Sequence, residues 1–427
     1  MSIFLTAASG LLEGALAVPN QLYAQAVAKI LPRSFQVEVT NPLSVARTEI
    51  LVVIPASTIK ADVPEFNPRA YVVQDGKTEL ASQYNQHDTD KPGIVVVLPK
   101  LAAKEKKMLT VRYATSGTAE RFYPKRTQAE LSHKVGGEFV NREYQAGEFK
   151  NVEYLRVPKE HKDHSWFIRY EGPGWESDLV GYRLYLDQRN ATDVFGKTTH
   201  EMILQHVGLD GFDSYHHLQP WGMDVMKVGK SIGVGSIGSI INGVTERVEI
   251  TDSVDCRITE NGPVYSSFVT RYYGWKIGSR KHDVQSRISI HAGSRLTQTR
   301  LSITNQIDHI ATGIVKDKAA PLIINKGDNS KWAYLATYGK QSLNTPPDEL
   351  GLAVVFNPAT VIEYTEDALS HLVKLKPTEA GEVTYYFLAA WVYEKEGIKT
   401  EAEFIQYLDH VALELANPVT VTLKTKK

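Results

Sequence analysis

The chain has 427 residues, 42% hydrophobic and 23% charged, with a formal net charge of −1. This is the composition of a globular protein of two or three domains, or of one large β-domain with an appendage. Near-neutral charge excludes broad electrostatic capture of nucleic acid or anionic membrane, and the single cysteine, Cys256, excludes an intrachain disulfide and a cysteine-rich zinc site.

Residues 1–28 are apolar and rich in small side chains, and Ala24-Gln25-Ala26 or Ala26-Val27-Ala28 suits a cleavage site. A signal peptide is expected, and with it a periplasmic or secreted location. The alternative is an appended helix, because no basic residue precedes the apolar run and Glu13 interrupts it. No other run is apolar enough over its length to span a bilayer as a helix, so no integral membrane segment is expected.

Residues 30–115 read as a small immunoglobulin-like β-sandwich. Residues 35–40 alternate strictly and end at Asn41-Pro42, residues 50–54 form a buried apolar run, and Asp75-Gly76 marks a hairpin after residues 71–73. Residues 94–98 and 108–113 supply further strands. Residues 116–160, charged and aromatic, read as a linker packing on the main domain.

Residues 161–427 read as a large antiparallel β-domain with a short C-terminal helix, so the fold class is mainly β. Its centre is residues 161–197, with two strand-like runs, 165–171 and 180–188, joined by an irregular Gly-Pro-Gly loop at 172–178. Alternation puts Arg169 and Glu171 on one face of the first run, and Arg183, Tyr185 and Asp187 on one face of the second, with Arg189 just beyond. A charged face with aromatics, beside the loop bearing Trp175 and Glu176, looks like the floor of a polar-ligand cleft. Next come an aromatic, histidine-bearing loop at 210–224 and a glycine-rich run at 228–241. The latter lacks the spacing and Lys-Ser/Thr ending of a phosphate loop, so its glycines are expected to permit close backbone approach. Long alternating strands follow at 264–273, 282–291, 295–304, 351–355 and 382–390. The helix spans 400–416, with Thr400 as N-cap, Glu403 three residues on, and a stripe of Phe404, Tyr407, Leu408, Val411 and Leu415.

Metal-ligand spacings and the GxSxG elbow are absent, and neither a metal nor another cofactor is expected. His216, beside Tyr215, Trp221 and Asp224, is the first acid/base candidate, because imidazole titrates near neutrality. Glu171 and Glu176 are a conceivable glycosidase pair whose separation is unreadable across the turn. Trp175, Trp221 and Trp275 suit sugar stacking, with core packing as the alternative for each.

The runs YEGPGWESDLVGYRLYLDQRNATDVFGK and SYHHLQPWGMDVMKVGKSIGVGSIG resemble a family of bacterial secreted proteins catalogued as a domain of unknown function. The similarity runs from Ser34 to the C-terminal helix. It implies a galactose-mutarotase-like β-supersandwich and a polysaccharide-degradation context. The family's pattern has one histidine after the tyrosine, which matches His216; His217, Gln219 and Pro220 depart from it.

The expected activity is that of an ulvan-dehydratase-like lyase, removing water from a uronic-acid residue of an anionic oligosaccharide by proton abstraction and β-elimination. Such chemistry needs cations for the carboxylate and a proton-transfer group. Arg169, Arg183, Arg189 and Arg271 are the arginine candidates. His216, His164 and Tyr272 or Tyr273 are the acid/base candidates. Glu171, Trp175, Glu176, Asp187, Trp221, Lys227 and Trp275 complete the expected substrate-binding set. A mutarotase-like epimerase or glycoside hydrolase, and a noncatalytic carbohydrate-binding protein, are the alternatives.

Overall fold

The computed structural model describes residues 26–424, so nearly all of the expected signal peptide lies outside the described residues. The chain is mainly β, built from antiparallel sheets, and divides into two units. The first comprises, among the described residues, 26–125, 262–265 and 417–424. Within it, strands Arg33–Thr40, Lys106–Tyr113, Tyr71–Asp75, Thr78–Leu80 and Thr420–Lys424 form one sheet. Strands Arg47–Pro55, Gly93–Leu101 and Ser82–Asn85 form another. The expected alternation holds here: Phe35, Val37 and Val39 face inward with Val52, Ile54, Val96 and Leu98 to make one core. The C-terminal strand, expected in the second domain, pairs instead with Arg33–Thr40.

The second unit comprises residues 126–261 and 266–416. Residues from 126 onward are part of its body and not a linker: they form strands Thr127–Glu130, Ser132–Val140, Glu143–Asn151 and Tyr154–Arg156. A nine-stranded sheet carries the long strands, among them Tyr265–Ile277, Arg280–His291, Thr297–Ile303, Glu349–Phe356 and Glu382–Trp391. Two five-stranded sheets accompany it, and inward side chains of all three share one large core. Helix Glu401–Ala416 lays Phe404, Leu408 and Val411 against Tyr338, Val355 and Leu388 of the nine-stranded sheet. It begins in a reciprocal cap: the Glu403 amide donates to Thr400 Oγ1 at 3.2 Å and the Thr400 amide to Glu403 Oε2 at 3.1 Å. Among the described residues, no helix is long and apolar enough to cross a membrane.

The central stretch departs from its expected form. Residues 165–171 are not a strand; they run through turns, with positive φ at Trp166, Tyr170 and Glu171, and close on a 3-10 turn at Arg169–Glu171. The apolar alternation there reflects packing into separate clusters, Phe167 and Ile168 in the main core and Tyr170 in a smaller one. Conversely, the irregular loop is shorter than expected. Gly174–Ser177 is a strand between Val180–Leu184 and Thr127–Glu130.

Candidate functional site

Strands Val180–Leu184 and Thr192–Lys197 form a hairpin that sets Arg183 opposite Asp193. Strand Gly222–Asp224 pairs with the other edge of Thr192–Lys197 and brings Asp224 into the same layer. The turn bearing Glu171 closes over this hairpin. A Cβ at Gly172 would stand 1.7 Å from the Leu184 carbonyl oxygen, so that approach requires glycine.

Arg183 is the centre of the arrangement, and it is 2% exposed. Its Nη2 donates to Asp193 Oδ2 at 2.7 Å and to Asp224 Oδ2 at 2.5 Å, and its Nε donates to Asp193 Oδ2 at 3.1 Å. Its Nη1 donates to the Tyr215 hydroxyl at 2.9 Å and lies 3.8 Å from Glu171 Oε2. One guanidinium fork thus holds three buried carboxylates. Burial, then the neighbouring Asp224, pushes the Asp193 carboxyl up to about 6, while the Tyr185 hydroxyl donates to it at 2.5 Å. Burial also works to raise Glu171, but Arg183 and Arg189 outweigh it and hold that carboxyl down at about 2.

His216 ends the short turn Ser214–His216, and its Nε2 lies 3.3 Å from Asp224 Oδ2. The hydrogen bond to Asp224 raises the imidazole above its ordinary 6.5 against the opposing effect of burial. With Nε2–H donating to Asp224, Nδ1 is left as the basic nitrogen. The ring is half-buried.

Arg183, Tyr185, Asp193, His216 and Asp224 line a cavity of about 620 Å³. Arg189, Lys227, Lys230, Arg247 and Glu249 line it as well. The volume suits a small ligand of one or two sugar rings. Arg189 is committed to acidic neighbours: it pairs with Asp187, with Glu171 at 2.8 Å and with Asp163 at 2.9 Å. Arg247 is not. It ends strand Val244–Arg247, its Nη1 donates to the Ser231 carbonyl at 3.0 Å, and burial pulls it below its ordinary value. Glu249, Asp187 and Asp367 act on it through charge, but among the described residues none forms an ion pair with Arg247. Its backbone carbonyl is held by the buried indole N–H of Trp275 at 3.0 Å.

Of the residues singled out in the sequence, Arg183, Tyr185, Arg189, His216, Asp224 and Lys227 line this cavity, with Glu171 and Asp187 in ion pairs with Arg189. The others lie elsewhere. Arg169 is buried against Glu130, away from Arg183, because residues 165–171 do not run as a strand. Glu176 is fully buried and accepts from Lys197 at 2.5 Å and from the amides of Ile203 and Leu204, so it does not form a carboxylate pair with Glu171. Trp175 stacks on Tyr182 in the core and donates to Thr297 Oγ1 at 2.9 Å. Trp275 is core too, and Trp221 packs edge-on against Phe195. Tyr272 is buried with its hydroxyl on Asn190, whereas Arg271 and Tyr273 both bond Asp255. His164 is exposed beside Asp163, and His217 is exposed.

Among the described residues, Asp163, His164 and Glu171 bring metal-type ligand atoms within 4.8 Å of one another. The Arg189 guanidinium already bridges the two carboxylates of that group.

Sequence reasoning missed Asp193 and Arg247. A signal for Asp193 was present: reading residues 185–191 as a turn makes it the cross-strand partner of Arg183. Nothing local marks Arg247, which folding alone brings to the cavity.

Residues 39–421 match a family described as "Domain of unknown function (DUF4861)". A curated protein of Formosa agariphila, "Uncharacterized protein P7", is 24% identical over 219 residues, 49% of this chain and 52% of that protein. The matched region is thus about half the length of that relative. Two solved Enterococcus faecalis structures are similar over 92% of this chain. One is a protein in the glycosyl hydrolase family 38, with a TM-score of 0.44, 12% identity and 47% of that chain covered. The other is an alpha-mannosidase, with a TM-score of 0.46, 11% identity and 46% covered.

Proposed function

The chain belongs to the DUF4861 family, and from that premise we propose that it is a carbohydrate-active lyase of the dehydratase type. Its substrate is a uronic-acid residue of an anionic, ulvan-like oligosaccharide. The observation that carries the reading is the conjunction, at one cavity, of a carboxylate-backed histidine and an arginine that, among the described residues, forms no carboxylate ion pair. The C5 proton of a uronate is weakly acidic, and its removal places charge on the adjacent carboxylate. Arg247, with Lys227, meets that charge. His216 Nδ1 takes the proton, the C5–H electron pair becomes the C4–C5 double bond, and the C4–O bond breaks. The imidazolium returns its proton to the departing hydroxyl, which leaves as water, so atoms and charge balance. Arg183 does not contact substrate in this reading; it positions Asp224 and Asp193.

The test is the ultraviolet absorbance of the conjugated product when the protein meets oligosaccharides ending in a 4-hydroxy uronate. Absorbance should grow with release of water and without cleavage of a glycosidic bond. Binding without any absorbance change would leave a noncatalytic carbohydrate-binding protein. Release of a free sugar would indicate a hydrolase.

Two outcomes belong to this reading. Arg247→Met should weaken uronate binding and turnover together, roughly tenfold or more in kcat/KM, because the carboxylate contact exists in both ground and transition states. A loss confined to kcat would contradict the assignment. The pH profile gives the second. A base acts in its neutral form, so kcat/KM should rise with pH through an inflection above 6.5, and Asp224→Asn should move that inflection down. A profile that falls with rising pH over the same range would make His216 an acid instead.

A further inference from the structure

The glycine-rich run has no role in the reaction above. Its first turn, residues 228–231, is closed by the Ser231 amide and hydroxyl, both donating to the Val228 carbonyl, at 3.0 and 2.6 Å. The run is then pinned to the body of the unit. A Cβ at Gly235 would stand 2.3 Å from the Phe387 ring, and one at Gly233 would stand 2.3 Å from the Thr192 carbonyl oxygen. Both glycines have positive φ, so no other residue follows this path without strain. The turn that leads into these two glycines is a partition. Residues 227–230 line the 620 Å³ cavity and also a second cavity of about 400 Å³. The second is walled further by Val315, Lys316, Leu369 and Asp317, whose carboxylate accepts from the Ala319 amide at 2.8 Å. Lys316 is paired with Glu366 at 3.0 Å, whereas Lys230 is exposed and, among the described residues, has no acidic partner within ion-pairing distance.

We propose that the second cavity is a subsite for the sugar next to the reacting uronate, and that it selects a neighbour bearing an anionic substituent. The inference rests on the proposed function and deepens it. The oligosaccharide would cross the 228–231 turn, lay an apolar ring face on Val315 and Leu369, and set its anion against Lys230. A flexible turn at this place would blur the spacing between the two sugars; the pinned one sets it.

The experiment is equilibrium binding to the full chain by calorimetry, with four probes. These are methyl glucuronoside and three glucuronosyl disaccharides whose second residue is sulfated, carboxylated or uncharged. Wild type should bind either charged disaccharide more tightly than the uncharged one and than the single sugar. The ratio between sulfated and carboxylated arms assigns the substituent. Leu369→Trp, which fills only the second cavity, should abolish the disaccharide advantage and leave methyl glucuronoside binding unchanged. Lys230→Gln should reduce the preference for charged over uncharged disaccharide by roughly three- to fivefold, the scale of an exposed ion pair. Equal affinity of wild type for all four probes would overturn the subsite. Undiminished preference in both variants would do the same. Tight, selective binding with no ultraviolet product would leave the subsite standing and remove the dehydratase reading. Binding of none of the probes would remove both.

Discussion

Replacing Arg183 with Met is expected to destabilise the second unit by about 3–5 kcal/mol, the cost of leaving buried charges without their partner. For a unit of about 290 residues that corresponds to a fall in melting temperature of roughly 5–8 °C. The cause is specific. Asp193 and Asp224 are each 1% exposed, both accept from Arg183 Nη2, and Glu171 is held low by the same guanidinium. Without it, like charges face each other in a medium that solvates them poorly. Arg183→Lys should recover little of the loss, because an ammonium lacks the fork that reaches two carboxylates and the Tyr215 hydroxyl at once. Thermal unfolding measures this directly. A Met variant that melts with wild type would show that the carboxylates find other partners, and Arg183 would lose its central place.

His216→Ala has the opposite signature. The ring is half-buried at a cavity wall and its partner Asp224 retains Arg183, so the fold should hold within the small range usual for such substitutions. Turnover should fall by roughly a hundredfold or more, the scale of a positioned proton-transfer group. Melting temperature and rate on the same protein separate the two kinds of residue: Arg183 loses stability and activity, His216 activity alone. A folded, fully active His216→Ala protein would take the imidazole out of the reaction and return attention to His164, 64% exposed beside Asp163.

Several features of this protein were legible in the chain itself because they depend on short-range periodicity. Alternating runs such as 35–40 and 282–291 lie within strands, since side-chain parity needs only the local backbone. The C-terminal helix, with its Thr400–Glu403 cap and its stripe of Phe404, Leu408 and Val411, was readable for the same reason. Parity also grouped Arg169 and Glu171 with Arg183 and Asp187 on one cleft face; in the structure Arg183 and Asp187 are buried, and Arg183, Arg189 and His216 line the cavity.

Tertiary structure decided what each of these groups does. Residues 165–171 alternate like a strand, yet contacts in two separate clusters fold them through turns, carrying Arg169 away to Glu130 and Glu171 in toward Arg183. Arg183 read as a substrate clamp, because a sequence shows that a guanidinium is present and not whether its nitrogens are already occupied. Its carboxylate partners come from a cross-strand neighbour, Asp193, and from a strand forty residues on, at Asp224. Arg247 and the partition at 228–231 reach the cavity only through long-range packing. Hydrogen bonds, desolvation and ion pairs act over a few ångströms of space, and distance along the chain carries almost no information about them.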